Sequence, residues 1–591
     1  MANTRLEELR AEMKRAEIDA YIIPNTDPHQ SEYFSPHYKS LGWLSSFTGS
    51  NATIVVTQEF AGLWTDGRYF LQASQELEGT GIQMMKLEIQ INPEYFDWIA
   101  KNLDKNSRVG IDGRLFSIGQ YRSMQALFKS KNIKIVDHLD LIETIWSDRP
   151  TISTNAIFEH DIKYAGQNRN KKFQDIRQKM AENGVENYLV SALDDIGWMF
   201  NIRGNDVSYN PVTYAYAIVN TKNVHLFIQD SKVPIDLKGR LESDGIILHE
   251  YNAIADFMAN LNDTSILLST GQTSVWLQNA LPDSCTIKAG SSIVQALKGI
   301  KNPTEQACLR EVMVKDGVAM VRFLKWLDDN IGKTTISELS ASDKLHECRA
   351  AQDLFVGDSF PAISGYKGNG AIIHYKVSPK TDTEMHPDGI YLIDSGGQYL
   401  DGTTDITRTI TLGTPTKEQK KIYTLVLKGH IQLADLTFPE GTRGNQLDVM
   451  ARQPLWQYGL DFRHGTGVGF FMNVHEGPQR IGPGSGGGYA VTMKEGMYSS
   501  NEPGFYKEGE FGMRIENLIL TQKAKKTDYG QFYEFETITL CPMENKLVEP
   551  NLLTIAERKW YNDYQQEVYA KLAPKLDSAE KAWLAEKCQT I

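Results

Sequence analysis

Long hydrophobic runs, paired cysteines and a basic excess are all missing from this 591-residue sequence. No stretch approaches the roughly 18 apolar residues that a membrane-spanning helix requires, so we expect no membrane partner. The five cysteines have no CxxC spacing, which indicates free thiols in a reducing compartment. Lys and Arg number 62 against 74 Asp and Glu, a formal net charge of -12 that argues against nucleic-acid binding. The first residues, MANTRLEELRAEMKRAEIDAYII, contain no apolar run of signal length, so a cytoplasmic protein is expected.

The first half of the chain contains a weak internal repeat. The segment LRAEMKRAEIDAYII at 9–23 corresponds to IRQKMAENGVENYLV at 176–190, and GWLSSFTGSNATIVV from Gly42 corresponds to the GW segment from Gly197. Each copy shows an amphipathic helix, an apolar strand, a polar loop, a GW helix, a glycine turn and a further strand. We therefore predict one α/β unit used twice, at 1–150 and 151–297.

A different pattern begins near Asn302. This residue can cap a helix, Pro303 suits the first helical turn, and Glu305 favours the positive helix end. From 361 to 539 short apolar strands alternate with glycine-rich turns and with scattered His, Asp and Glu residues. The last residues, 553–591, are rich in Ala, Glu, Lys, Trp and Tyr and are expected to form terminal helices.

Four acidic residues of this region lie in apolar surroundings. Asp394 follows the apolar run YLI and Asp405 lies within TTDITRTI, so a hairpin through SGGQYLDG would place both carboxylates across one gap. Glu502 precedes a Pro-Gly turn, and Glu516 lies within FGMRIENLIL. Taken singly, Asp394 and Asp401 can serve turns, and Glu516 can pair with Arg514. Buried together they need a shared cation, and four carboxylates can hold two divalent ions.

Three histidines are interleaved with these acids. His374 lies in GAIIHYKV, which reads as the end of an apolar strand, His464 lies in FRHGTG, and His475 lies in MNVHEGP. A single histidine on a strand is more often structural than catalytic. Three of them in strand and glycine contexts, alternating with the acids, indicate an active site.

The order GAIIHY, LIDSGG, TTDITRT, HGTG, NVHEGP, NEPGFY and GMRIEN resembles the pita-bread metallopeptidases, and within them the long, three-domain form of the aminopeptidase P (Xaa-Pro aminopeptidase) family. TDPHQSEY, FTGSNA and WTDGRYF resemble its creatinase-type N-terminal domain. The resemblance implies an α/β protein with two creatinase-type N-terminal α/β domains, at 1–150 and 151–297. A C-terminal pita-bread (α+β) catalytic domain at 298–552 and a C-terminal helical extension at 553–591 would follow.

The all-oxygen ligand set favours manganese, or else zinc or cobalt, and the resemblance implies how two such ions would be held. Asp394 would bind one ion, Asp405 and Glu516 would bridge both, and Glu502 would bind the other ion and act as base or proton shuttle. Arg514 would support the bridging carboxylates from behind. Three histidines would surround the substrate: His374, His464 and His475.

One ligand of the family pattern is missing. The pattern reads HGTGHGVG, and its second histidine binds a metal, whereas this chain reads HGTGVG from His464 to Gly469. A His-Gly unit is absent, and Val468 has no atom that can bind a metal. We therefore expect the ion shared by Glu502 to bind weakly and the activity to be reduced.

By the same resemblance the chain would be an Xaa-Pro aminopeptidase, hydrolysing the N-terminal bond of peptides with proline at the second position. The C-terminal helical tail suggests a homodimer. Three alternatives remain open. A catalytically impaired, metal-poor relative would bind peptides without cutting them. A prolidase would accept only dipeptides, but it normally lacks the duplicated N-terminal domain. A creatinase-like C–N hydrolase would not need the four acids.

Overall fold

The structure is a computed structural model that describes residues 2–88 and 93–591. The chain forms two compact units: Met1–His160 with Gln167–Val294 as unit 1, and Asp161–Gly166 with Gln295–Ile591 as unit 2. Within the described ranges, no helix has both the length and the apolar composition needed to cross a bilayer.

Unit 1 contains two six-stranded sheets with the same arrangement. In the first, Ala20–Pro24 pairs antiparallel with Ala52–Thr57 and parallel with Arg108–Gly110. In the second, Asn187–Val190 pairs antiparallel with Ala215–Asn220 and parallel with Ser265–Ser269. The strands of the first sheet, in spatial order, are Gln83–Lys86, Ala61–Thr65, Ala52–Thr57, Ala20–Pro24, Arg108–Gly110 and Lys134–Val136. Those of the second are Ile246–His249, Val224–Ile228, Ala215–Asn220, Asn187–Val190, Ser265–Ser269 and Thr286–Gly290.

Helices flank both sheets and follow the predicted repeat. The helix Ala2–Arg15 precedes the central strand of the first sheet, as Arg169–Glu182 precedes that of the second. The two GW segments form the short helices Ser40–Ser45 and Leu193–Met199. The other helices of unit 1 are Phe70–Glu76, Glu94–Asn102, Ile118–Phe128, Leu141–Ile145, Ile235–Ser243, Ile254–Ala259 and Val275–Asn279. The prediction of one α/β unit used twice is confirmed.

Buried hydrogen bonds join the two halves of unit 1. His29, from the TDPHQSEY segment, has Nδ1 at 2.7 Å from the carbonyl oxygen of Ser191 and Nε2 at 2.8 Å from the hydroxyl of Tyr251. The hydroxyl of Tyr214 donates to Oδ2 of Asp27 at 3.0 Å. Burial lowers the pKa of His29, so the imidazole is neutral and uses both nitrogens for hydrogen bonds.

Unit 2 begins its main helix as predicted. Pro303–Asn330 is capped by Asn302, whose side chain accepts from the backbone N–H of Glu305, while the Glu305 carboxylate accepts from the backbone N–H of Asn302. The other long helices of the unit are Glu338–Ala350, Lys417–Ala434, Gly444–Trp456, Ile555–Leu572 and Ser578–Lys587. Two short helices lie next to the unit boundaries in sequence, Ile162–Ala165 and Ile293–Lys298.

The sheets of unit 2 are antiparallel. The largest has the order Phe438–Pro439, Gly530–Thr537, Asn517–Thr527, Tyr498–Asn501, Gly467–Gly469 and Glu476–Ile481. A three-stranded sheet has the order Ile363–Tyr366, Ile390–Ser395 and Ile406–Thr411. The smaller sheets contain Phe355–Asp358, Gly397–Tyr399 and Gly402–Thr403, then Gly504–Lys507 and Phe511–Arg514, then Ile336–Ser337 and Glu384–Met385. The predicted hairpin is confirmed, because Ile390–Ser395 pairs with Ile406–Thr411.

The C-terminal residues are helical, as predicted, and share the core of unit 2. Tyr561, Val568 and Leu572 of Ile555–Leu572 are fully buried in the same hydrophobic cluster as Val426 and Leu427 of Lys417–Ala434. The extension is therefore an integral part of the unit, because its apolar face is covered by the chain itself.

We expect His29→Leu to destabilise unit 1, because it leaves the carbonyl of Ser191 and the hydroxyl of Tyr251 without their buried partner. The cost of such an unpaired group is about 1–3 kcal/mol. Calorimetry should show that His29→Leu lowers the melting temperature of one unfolding transition. The control His138→Leu, at an exposed position, should leave that melting temperature unchanged. Equal melting temperatures for the two variants would contradict this role of His29.

Candidate metal centre

Three carboxylates meet at the ends of strands in unit 2. Asp394 lies on Ile390–Ser395, Asp405 directly precedes Ile406–Thr411, and Glu516 directly precedes Asn517–Thr527. One oxygen of each lies within 4.8 Å of the others, and all three side chains are buried. The backbone N–H of Glu516 donates to the carbonyl of Thr407 at 3.2 Å, which ties the third acid to the hairpin that carries the first two.

The charges of these groups oppose one another. Burial, then the charges of Glu516 and Asp394, raise the pKa of Asp405 well above its usual range. Burial, then Glu502 and Asp394, raise the pKa of Glu516 in the same way. No hydrogen-bond donor of the described residues reaches Oδ1 of Asp394 or Oδ1 of Asp405. Buried, crowded carboxylate oxygens without donors fit a hard divalent cation, which would remove the repulsion and take the free lone pairs.

Glu502 lies outside this compact group but is coupled to it by charge. Its backbone N–H donates to the carbonyl of Thr466 at 2.8 Å, and the Ser500 hydroxyl donates to Oε1 at 3.0 Å. Burial raises the pKa of Glu502 to about 7, with a further increase from Asp394 and opposing effects of Arg514 and His475. A carboxyl with a pKa near neutrality can both accept and release a proton at working pH.

Arg514 is the buried cation of the site. Its guanidinium pairs with Asp394, and Nε donates to the Thr407 hydroxyl at 3.1 Å. That hydroxyl donates in turn to Oε2 of Glu516 at 2.7 Å. Arg514 therefore contacts Asp394 directly and reaches Glu516 through Thr407. The sequence analysis expected Arg514 to support only the bridging carboxylates and did not predict its contact with Asp394.

Tyr506 is a site residue that the sequence analysis missed. Its hydroxyl accepts from Nη1 of Arg514 at 2.5 Å and lies 2.8 Å from Nε2 of His464. Nδ1 of His464 lies 2.7 Å from the carbonyl of Gly465, so Nδ1 carries the proton and Nε2 accepts from Tyr506. Burial raises the pKa of Tyr506 to about 12, which keeps the hydroxyl protonated. Its position in NEPGFY, just after Glu502, was the available signal.

The loop that carries His464 is held from the helix Gly444–Trp456. Arg452 donates to the carbonyl of Phe462 at 2.7 Å and to that of His464 at 2.6 Å. Asp448 accepts from Arg452 at 2.7 Å and from the Thr466 hydroxyl at 2.5 Å. An Asp and an Arg four residues apart are common on helices, so this role could not be predicted from the sequence.

His475 lies in the left-handed region of the backbone, with φ of 64°, and its charge lowers the pKa of the neighbouring Glu502. The next residue, Glu476, accepts from the backbone N–H groups of Met472 at 3.1 Å and Asn473 at 2.8 Å. Its other oxygen lies 3.0 Å from the buried ammonium of Lys298. Strained backbone held by buried polar contacts is typical of functional loops.

The predicted strand at GAIIHYKV is wrong. Residues Lys367–Ala371 form a 3-10 helix, and His374 lies half-buried in the turn that follows. The cause is Glu338, whose carboxylate accepts from the backbone N–H of Tyr366 at 2.7 Å, from the side-chain amide of Asn369 at 3.1 Å and from the hydroxyl of Tyr375 at 3.0 Å. These bonds fold the segment around one buried acid, so it cannot extend.

Val468 directly follows Gly467, at the point where the family pattern has the additional His-Gly unit. It lies on Gly467–Gly469, and its backbone N–H donates to the Ser500 hydroxyl at 2.9 Å. A Cβ on Gly467 would come within 2.1 Å of the Ser500 carbonyl, so the strands approach closely here. In the described part of the chain, the compact group is made of carboxylates and includes no imidazole.

Known families match along the whole chain. The Creatinase/Prolidase N-terminal domain matches residues 5–145 and again 148–305, metallopeptidase family M24 matches 307–523, and the C-terminal region of that family matches 531–591. A probable Xaa-Pro aminopeptidase P of Laccaria bicolor is 39% identical over 607 residues, which cover 99% of this chain and 93% of the relative. The chain belongs to the aminopeptidase P family.

Two further relatives support this family assignment. Xaa-Pro aminopeptidase 1 of Dictyostelium discoideum is 39% identical over 608 residues, 99% of this chain and 96% of its own length. The crystal structure of an X-prolyl aminopeptidase from Caenorhabditis elegans, described as a cytosolic enzyme with a di-nuclear active site, has a TM-score of 0.95 and 32% identity, with both chains covered completely. The predicted family, fold class and enzyme class, a metallo-aminopeptidase, are confirmed for this aminopeptidase P family member.

The stability of the metal-free protein should depend on pH through Asp405, Glu502 and Glu516. Their pKa values are raised in the folded protein, so the metal-free fold is most favoured below the unfolded values of about 4. It loses stability as the pH rises from there through the folded value of about 7 for Glu502 and through the raised pKa values of Asp405 and Glu516. A bound divalent ion replaces the protons and removes this loss.

Thermal unfolding between about pH 5 and 8, with manganese or with chelator, measures this effect. The melting-temperature gap between the two conditions should widen with pH, and Asp405→Asn should narrow it. A gap that stays constant over this range would contradict the charge coupling described above.

Proposed function

We propose that this chain is a cytoplasmic Xaa-Pro aminopeptidase that hydrolyses the N-terminal bond of peptides with proline at the second position. The observation that carries the proposal is the compact group of Asp394, Asp405 and Glu516, buried and with unsatisfied oxygens, in a chain 39% identical to a probable Xaa-Pro aminopeptidase P over nearly its full length. We further propose the domain limits 1–150, 151–297, 298–552 and 553–591, and a homodimer.

Two divalent ions, manganese or else zinc or cobalt, would be held by Asp394, Asp405, Glu516 and Glu502. When bound, they would supply Lewis acidity and an activated water. The di-nuclear site described for the Caenorhabditis elegans enzyme supports this number. Arg514 would hold Asp394 in place and, through Thr407, orient Glu516.

Glu502 would handle the proton of the reaction. Its carboxylate would take a proton from the attacking water and pass it to the leaving nitrogen of proline. The Ser500 hydroxyl donates to Oε1 of Glu502 and holds the carboxylate in position. His464, oriented by Tyr506, and His475, next to Glu502, would contact the peptide together with His374.

Proline specificity follows from the chemistry of the bond. An Xaa-Pro bond has no N–H, and the ring fixes φ. A site that offers no acceptor to that position leaves nothing unpaired with proline, whereas an ordinary residue would bury an unsatisfied donor at a cost of about 1–3 kcal/mol. The relatives named as Xaa-Pro aminopeptidases support this substrate class and give the peptide-binding alternative no support.

The decisive experiment replaces Asp405 with alanine. We expect Asp405→Ala to lose bound manganese and to lower turnover of a short Xaa-Pro peptide by at least about 100-fold, because an ion would lose a bridging ligand. The matched control is Asp401→Ala in the same hairpin, whose carboxylate pairs with Lys315 at 2.7 Å and lies outside the compact group. Full turnover by Asp405→Ala would refute the mechanism.

The missing histidine makes a separate prediction. We expect one ion to bind tightly and the ion at Glu502 to bind at least about 10-fold more weakly, because imidazole is absent from its ligands. Inserting His-Gly between Gly467 and Val468 should strengthen the second site and raise turnover, as measured by calorimetric metal titration and peptide assay. Inserting Ala-Gly is the control, and equal effects of the two insertions would contradict this explanation.

A further inference from the structure

His430 is a buried histidine to which neither the sequence analysis nor the proposed mechanism gives a role. It lies on the helix Lys417–Ala434 and is completely inaccessible to solvent. Its Nδ1 is 3.1 Å from the carbonyl oxygen of Asn501, and its Nε2 is 3.2 Å from the side-chain nitrogen of Asn517. The Asn501 side chain donates back to the carbonyl of His430 at 2.9 Å.

The two partners flank the candidate metal ligands. Asn501 directly precedes Glu502, at the end of the strand Tyr498–Asn501, and Asn517 directly follows Glu516, at the start of Asn517–Thr527. These strands pair with each other, with Asn501 opposite Asn517. One imidazole therefore spans the two strand ends from which Glu502 and Glu516 emerge.

The hydrogen-bond pattern assigns a single state to the ring. Oδ1 of Asn517 accepts from Nη2 of Arg408 at 2.8 Å, so its amide nitrogen faces His430 and donates to Nε2. Nδ1 then carries the proton and donates to the carbonyl of Asn501. Burial and the charge of Arg408 lower the pKa of His430 to about 3, which agrees with a neutral ring.

Arg408 continues the same network toward the C-terminal extension. Its Nη1 donates to the carbonyl of Glu516 at 2.7 Å, and its Nη2 lies 2.9 Å from the hydroxyl of Tyr564 on the helix Ile555–Leu572. Trp560 of that helix stacks on Tyr564 with ring centroids 5.5 Å apart, and its edge faces His430 at 6.0 Å. The C-terminal extension thus contributes Tyr564 and Trp560 to the contacts around Arg408 and His430.

We propose that His430 is a positioning residue that sets the spacing of Glu502 and Glu516, with Arg408 and Tyr564 completing its support. The inference rests on the proposed function in that these two carboxylates are taken as metal ligands. Residues behind a metal ligand typically change metal affinity or activity by about 10–100-fold when they are lost. A histidine that only fills the core would affect stability and leave metal affinity unchanged.

The test compares His430→Leu with His430→Gln. Leucine removes both hydrogen bonds, whereas a glutamine amide can donate to Asn501 and accept from Asn517. We expect His430→Leu to lower manganese affinity by at least about 10-fold, measured by competition with a chelator in the full-length protein. We expect kcat to fall more than KM changes, and His430→Gln to recover metal affinity to within about 3-fold of the unmodified protein.

The control is Thr424→Val on the same helix. Thr424 is a buried residue whose hydroxyl accepts from the backbone N–H of Glu549 at 2.8 Å and donates to the carbonyl of Lys420 at 2.7 Å. The variant therefore loses both hydrogen bonds of this hydroxyl, away from the metal ligands. Its melting temperature should fall while manganese affinity stays unchanged. Unchanged affinity in His430→Leu, or an equal loss in Thr424→Val, would overturn the proposal.

If His430→Leu does not fold, Tyr564→Phe is the variant that tests the proposal. It removes the hydroxyl that contacts Arg408, and we expect a loss of manganese affinity of about 3-fold or more; no loss would overturn the proposal. Metal binding is measured without peptide, so the outcome is distinct from that of the proposed function. A protein that binds manganese but cuts no Xaa-Pro peptide would refute the function and still test His430.

Discussion

Repulsion among buried carboxylates is the constraint on which unit 2 depends. Asp394, Asp405 and Glu516 are held within one small volume by strand ends, and burial prevents water from screening their charges. Arg514 supplies one compensating charge, on Asp394. The carboxylate oxygens that accept no hydrogen bond still need a compensating positive charge. A divalent cation bound among them would supply that charge.

The surrounding structure works to keep these groups in place against that repulsion. Thr407 and Tyr506 connect Arg514 to Glu516 and to His464 through neutral hydroxyls. The loops that carry the histidines are each fastened by a buried charged group: Glu338 for the His374 segment, Arg452 with Asp448 for His464, and Lys298 with Glu476 for His475. Preorganisation of this kind is what a catalytic site needs, because small displacements of ligands cost large factors in rate.

Local sequence patterns predicted what is local in the fold. The repeat at 9–23 and 176–190 predicted two similar α/β domains, because the order of apolar strand and amphipathic helix survives sequence divergence. The run from Asp394 to Asp405 predicted a hairpin, because the turn and both strands lie in one short stretch. Four acids in apolar surroundings predicted a metal site, because burying them together is costly without a shared cation.

Contacts between segments that are distant in the chain could not be predicted from the sequence. Asp448, Arg452 and His430 acquire their roles from contacts with other elements and carry no local signal, whereas Tyr506 had only its position in NEPGFY to indicate its role. The strand expected at GAIIHYKV is a 3-10 helix and turn because Glu338, on a separate helix, gathers its polar groups. Arg514 pairs with Asp394, which lies on a different strand. Its position two residues before Glu516 in the sequence did not predict that contact.

A crystal structure of the manganese-loaded protein, with anomalous scattering recorded at the metal, would show whether these carboxylates hold the cation. We expect an anomalous peak at about 2.0–2.6 Å from carboxylate oxygens of Asp394, Asp405 and Glu516, with Arg514 still paired with Asp394. No peak among these three residues, or acids separated and each paired with a basic side chain, would contradict it.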